Sequence, residues 1–202
     1  MTATLDQARK AYEAHDWQGA VTALQESDLD NAPDELLLLA DALYWDGRFD
    51  ESLNAFEKAF RTLVSNGRTA DAGRVASLLA YLAFRRQTYA VGAGWLAQAQ
   101  QLLDGEPQTI GHAWLMLVLM GKALFAEGDV GTALTLADEA ISVAEHVGSR
   151  SAQSLAMSMK AVASIQSGEW KAGLDLLDEA NAMAFVGDDL RMTSDVYCNT
   201  IS

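Results

Sequence analysis

The chain has 202 residues, half of them apolar, and a formal charge of −14 from 28 acidic and 14 basic side chains. A surface this acidic repels phosphate backbones and anionic lipid headgroups, which argues against direct nucleic-acid binding by this chain and against a membrane surface. Cys198 is the only cysteine, so no intrachain disulfide forms; this fits a reducing, cytoplasmic setting.

The apolar residues are mostly Ala, Leu and Met, with few Val and Ile, and this composition predicts an all-α chain with no sheet. The opening stretch MTATLDQARKAYEAHD is polar and starts as a helix, without the basic stretch and apolar core of a signal peptide. Apolar periodicity predicts ten helices, at 4–14, 17–27, 34–46, 49–65, 70–86, 89–103, 108–127, 130–147, 150–167 and 170–186. The most apolar run, AWLMLVLMGKALFA (113–126), carries Lys122 and is too short to span a bilayer, so it reads as a buried helix. An eleventh helix begins near Asp189. Its Met192, Val196, Tyr197 and Ile201 have no following helix to cover them, so the sequence predicts an N-terminal piece of a longer protein, or a second copy stacking on that end as a homodimer.

The turns of this chain repeat. HDWQGAVTAL (15–24), GRFDESLNAF (47–56), QTYAVGAGWL (87–96), GDVGTALTLA (128–137) and GEWKAGLDLL (168–177) align so that Ala20, Ser52, Gly92, Ala133 and Gly173 are equivalent, at intervals of 32, 40, 41 and 40 residues. Seven residues later stand Ser27, Ala59, Ala99, Ala140 and Ala180, and twelve residues earlier Ala8, Ala40, Ala80, Gly121 and Ala161. Two antiparallel helices reach the short end of the 8–10 Å packing range only where side chains nearly vanish, which is what small residues at matched heights permit. Trp17, Phe49, Tyr89, Val130 and Trp170, early in each second helix, are placed to fold over the hairpin end. Gly47, Gly128 and Gly168 suit a left-handed turn, whereas His15 and Gln87 stand where glycine is missing. Asp16 and Asp129 can cap the next helix. One hairpin cannot bury its own apolar stripe, so the expected architecture is a stacked solenoid.

This spacing resembles the tetratricopeptide repeat. The best copy, LLLLADALYWDGRFDESLNAFEKAF (36–60), matches that motif at Leu39, Ala40, Leu43, Gly47, Phe49, Phe56 and Ala59. The first interval is near the usual period of about 34 residues, and the longer ones imply lengthened helices. GWLAQAQQLLDG (94–105), TLADEAISVAEHVG (135–148), GLDLLDEANA (173–182) and DVYCNTIS (195–202) are similar to the helical-repeat part of actinobacterial LuxR-type transcriptional regulators. The resemblance implies a single TPR-like domain over 1–202. It would be a right-handed α-α superhelix of about five hairpins plus a partial eleventh helix. It also implies a non-catalytic regulatory module that binds a protein or peptide, or another domain of its own chain, with any DNA-binding, ATPase or cyclase module lying elsewhere. Small-molecule effector sensing and a structural oligomerisation role stay open as alternatives.

In such repeats the first helix of each pair lines the concave face. Helical spacing then selects Arg9 and Tyr12, then Asp41, Tyr44 and Trp45, then Arg74, Tyr81, Phe84 and Arg85, and finally Lys122 and Phe125 as candidate contact residues. Aromatic anchors beside basic side chains suit an acidic peptide or a helix laid along the groove. The competing expectation is that Trp45 and Phe84 are packing residues and that Arg85–Arg86 pair with acids such as Asp41 on the neighbouring hairpin.

Catalysis is not expected. His15, His112 and His146 lie in separate segments without metal-ligand spacing, and no second cysteine completes a zinc site. The GAG at 92–94 has no preceding strand, and GKAL at 121–124 lacks the flanking residues of a phosphate loop. No metal or cofactor is therefore anticipated.

Overall fold

The computed structural model describes residues 3–25, 27–187 and 189–200, which hold eleven α-helices and no strand. Ten helices pair as hairpins: α1 (Ala3–Glu13) with α2 (Trp17–Gln25), α3 (Pro33–Trp45) with α4 (Phe49–Ser65), α5 (Thr69–Arg85) with α6 (Tyr89–Leu103), α7 (Ile110–Gly121) with α8 (Val130–His146), and α9 (Arg150–Gln166) with α10 (Trp170–Ala184). The last, α11, spans Leu190–Thr200. Each second helix packs on the first helix of the next hairpin, and α5 packs on α7 as α9 packs on α11. The result is a TPR-like helical-repeat solenoid.

The repeated small residues are what close the hairpins. Ala20, Ser52, Gly92, Ala133 and Gly173 are all buried, as are Ala59, Ala99, Ala140 and Ala180. Two pairs show the matched heights directly. Ser52 Oγ donates to the Ala40 carbonyl at 2.7 Å, and a Cβ at Gly173 would lie 2.9 Å from the Ala161 carbonyl oxygen. In both, residues twelve apart in sequence face each other across the hairpin. Two positions depart from the pattern. Ser27 lies beyond the end of α2, and Gly121 is only half-buried because the helix changes character there.

That change is a π-helical segment at Lys122–Glu127, continuous with α7. The expected single helix over 108–127 is therefore an α-helix that ends in a wider turn. A π turn accommodates an additional residue without shifting the helix ends, and this hairpin lies in the one interval of 41 residues rather than 40. The wide turn takes up the extra residue and leaves Gly128 in register. By length and composition the stretch Ile110–Glu127 could cross a membrane, which corrects the reading of this run as too short. Here Trp114, Leu117, Val118 and Met120 are buried in the core of the solenoid.

The turns without glycine adopt the same conformation as those with it. His15 has φ 59° and Gln87 φ 58°, beside φ 80° at Gly47 and 68° at Gly128. An L-residue in the left-handed region loses about 1–2 kcal/mol, of which glycine's larger unfolded-state entropy takes back about 0.5–1. Gln87→Gly is therefore expected to stabilise the chain by about 0.5–1 kcal/mol, read as a higher urea midpoint at unchanged m-value. Asp16 and Asp129 cap as the sequence suggests, accepting from the amides of Gly19 at 2.9 Å and Thr132 at 3.0 Å. The aromatic residues opening the second helices shield their turns less than expected. Phe49, Tyr89 and Trp170 stay more than half exposed, although Phe49 packs edge-on against Tyr44.

Candidate binding surface

The course of α11 defines the inner face. Its side chains meet Asp41 and Tyr44 on α3, Tyr81 and Arg85 on α5, and Ser158 on α9, all of them first helices of hairpins. First helices thus look onto a common interior, and α11 lies in it. It runs in the same direction as α9: the Asp189 amide donates to Ser151 Oγ at 2.8 Å near one end, and Asn199 Nδ2 donates to Ser158 Oγ at 3.0 Å near the other. Asp189 caps the helix by accepting from the Met192 amide. The expectation that Met192 and Val196 await a following helix is not met, because both are fully buried against the body of the solenoid; Ile201 lies outside the described residues.

Two seats hold the charges of α11. The first receives Arg191, whose guanidinium lies 3.7 Å from the Tyr44 ring centroid, with Trp45 and Phe56 at 5.8 and 5.9 Å. Nη2 donates to Asp41 Oδ1 at 2.8 Å, and Nη1 is buried without a hydrogen-bond partner among the described residues. Arg191 is 5% exposed. Tyr12 borders this seat; its hydroxyl is pushed up to about 12, by burial first and by the Asp41 carboxylate second. The second seat receives Asp195, which accepts from the Tyr81 hydroxyl and from Arg85 Nη1 at 3.0 Å. Burial raises the Tyr81 hydroxyl far above its ordinary range, so it keeps its proton and donates. Burial also raises the carboxyls of Asp189 and Asp195, in the latter outweighing the hydrogen bond from Tyr81 and the charge of Arg85.

These contacts sort the candidate residues into groups. Asp41, Tyr44 and Trp45 surround Arg191, with Tyr12 alongside. Tyr81 and Arg85 hold Asp195. Phe84, Lys122 and Phe125 line a half-open cavity of about 200 Å³ together with Tyr81, Leu117 and Val118, and Asp195 and Asn199 of α11 form one of its walls. Arg9 and Arg74 stand apart, on the side of Asp34, whose carboxyl is held low by Arg68 first and by Arg74 and Arg9 more weakly. The basic candidates therefore do not share one site. Arg86 pairs with Asp50 and Lys122 with Glu127, both in exposed pairs, so those charges are satisfied locally. Asp41 pairs with Arg191 and not with Arg85 or Arg86, because α11 brings a cation to it from the other end of the chain.

Arg191, Asp195 and Phe56 lie outside the sequence-based selection. A signal for the cation seat is present in DALYW (41–45), which puts a carboxylate and two rings at i, i+3 and i+4 on one helix face. Among the described residues no group of three His, Cys, Asp or Glu side chains is placed to hold a metal. His112 instead works in the capping box of α7, where its Nδ1 accepts from the Thr109 amide at 3.1 Å.

No protein-family model matches the chain, and no curated protein matches it in sequence. Solved structures do match. BtubC (BKLC) from P. vanneervenii superposes with a TM-score of 0.64 at 17% identity, covering 87% of this chain and 76% of that one. Nearly identical TPR-like repeats of a putative kinesin light chain from Podosopora anserina superpose with a TM-score of 0.60 at 15% identity, covering 90% of this chain and 93% of that one. A glutamine-to-methionine variant of the same repeats gives a TM-score of 0.60 at 15% identity, covering 90% of this chain and 92% of that one. At such identities the likeness establishes the TPR-like fold. It does not reach the LuxR-type regulators specifically.

Proposed function

We propose that this chain is a non-catalytic protein-binding scaffold whose concave face receives a helical segment. One observation carries the reading: a helix, α11, already lies along that face, with its charged side chains in seats built from aromatic and ionic groups of other hairpins. Aromatic anchors with arginine neighbours are the residue types that dominate binding energy at protein interfaces, and a groove read by successive helix turns is an established mode of peptide recognition. The finer reading, supported by the repeat resemblance, is a cytoplasmic regulatory segment in which occupancy of the groove changes the exposure of an attached effector domain, as in transcriptional regulators.

The test is selection of helical peptides on the intact chain, followed by Tyr81→Phe with Arg85→Ala. Tyr81→Phe keeps the ring on Trp114, 5.5 Å away, and removes only the hydroxyl. Binding is expected to weaken at least tenfold with far-UV circular dichroism unchanged. Peptides that bind equally well to the variant would place recognition elsewhere.

The cavity beside α11 supports a second reading, a small apolar effector. At about 30 Å³ per water it has room for roughly seven waters, which suits a compact molecule. Ala126→Trp, at an exposed residue of its lining, would fill it. That substitution is expected to abolish any small-molecule shift in melting temperature while sparing peptide binding.

A further inference from the structure

The seats for Arg191 and Asp195 are made by residues far from α11 in sequence. Asp41, Tyr44 and Trp45 come from α3, Phe56 from α4, and Tyr81 and Arg85 from α5, so both belong to the second and third hairpins. Along a helix, four residues rise about 6 Å and return to the same face, which is the offset between Arg191 and Asp195. Their neighbours Met192 and Val196 repeat that offset and supply the apolar part of the contact. The groove therefore reads a pattern: a guanidinium with an acid four residues on, and an apolar residue directly after each.

The present occupant matches this pattern but is held imperfectly. Arg191 is taken almost wholly out of water, yet its Nη1 finds no hydrogen-bond acceptor among the described residues. A buried ion pair returns its desolvation penalty only when the remaining donors are satisfied. Besides Arg191 and Asp195, α11 brings Asn199 and the capping Asp189 to the contact, so much of what it buries is polar. Its connection to α10 carries Phe185 and Val186 exposed to solvent.

Building on the reading of the concave face as a partner site, we propose that α11 is an exchangeable resident of a two-seat groove. The partner it keeps out is a helix of another protein that carries arginine with aspartate or glutamate four residues later. The seats give that partner its register. Asp41 with the Tyr44 face selects guanidinium, whose flat, weakly hydrated cation stacks on a ring as an ammonium does not. Tyr81 and Arg85 select the carboxylate.

The experiment uses the intact chain and a fluorescent peptide of residues 187–200. In the wild type the tethered α11 competes at high effective concentration, so added peptide binds weakly. In Arg191→Glu with Asp195→Lys the resident helix meets like charges at both seats. That variant is expected to bind the wild-type peptide at least tenfold more tightly, and adding Asp41→Arg removes the gain. A peptide with lysine replacing the arginine is expected to lose about tenfold. If the doubly reversed chain keeps its helicity and fails to bind peptide at millimolar concentration, α11 is a fixed wall of the solenoid and the proposal is overturned. Native-state hydrogen exchange of the wild type is independent of whether that variant folds. Residues 190–200 are expected to open well below the free energy of α3 to α6, and exchange only through global unfolding overturns the proposal. Peptides that bind at the cavity side while α11 stays fixed would leave the scaffold reading standing without this one.

Discussion

Alanine at Gly173 is expected to destabilise the chain by about 1–3 kcal/mol, whereas alanine at the equivalent Gly92 leaves it near wild type. A Cβ at Gly173 would meet Ile165 Cγ1 at 2.5 Å, the Ala161 carbonyl oxygen at 2.9 Å and the Ile165 amide nitrogen at 3.2 Å. Two of these atoms are backbone of α9, so relief requires α10 to move away along its length. At Gly92 the three atoms nearest the same methyl all belong to the Phe84 ring, the closest at 2.9 Å, and that side chain is partly exposed, so a side chain and not backbone has to give. Helix propensity favours alanine over glycine by about 1 kcal/mol at both sites; at Gly92 that gain offsets the contact, and at Gly173 it does not. For a chain of this size each kcal/mol moves the melting temperature by about 2–4 °C. Loss in a solenoid is local first. Hydrogen exchange in Gly173→Ala is expected to rise in 150–200 while 33–103 stays protected. A Gly173→Ala chain that melts with the wild type would mean that the matched small residues do not set the hairpin spacing.

The sequence carries this part of the architecture because it is written at short range. A contact between residues twelve apart, as between Ser52 and Ala40 or Gly173 and Ala161, depends on one turn and two helix heights. The same holds for Asp16 and Asp129 as caps. The position of α11 has no such local record. Arg191 and Asp41 are 150 residues apart, and they meet only because small rotations accumulate over five hairpins into a curve. Read from spacing alone, Met192 and Val196 look like an uncovered end, and Asp41 looks like the partner of the nearest arginines. The face bearing Tyr44, Trp45, Tyr81 and Arg85 is legible; its occupant is not. The π turn lies between these cases. Its extra residue is visible as an interval of 41, but an added residue reads equally as a longer helix until the backbone shows where it goes.

The Arg191–Asp41 pair should then separate two quantities that a contact list merges, the stability it confers and the register it sets. Asp41→Ala leaves the guanidinium buried with the Tyr44 face as its main compensation. Breaking a fully buried pair typically costs about 3–5 kcal/mol, but the Asp41 side chain is 37% exposed against 6% for Arg191. Solvent screening brings the expected loss to about 2 kcal/mol. Arg191→Met keeps an unbranched chain against Tyr44 and Phe56 and removes the donor that has no acceptor. It is expected to stay within about 1 kcal/mol of wild type, and Asp41→Ala added to it should have little further effect. Urea unfolding of the four chains gives the coupling directly. A loss in Arg191→Met as large as that in Asp41→Ala would mean that the ion pair holds α11 in place by itself. The expected asymmetry instead assigns that work to Met192 and Val196, and leaves to Arg191 the choice of which helix, in which register, the groove accepts.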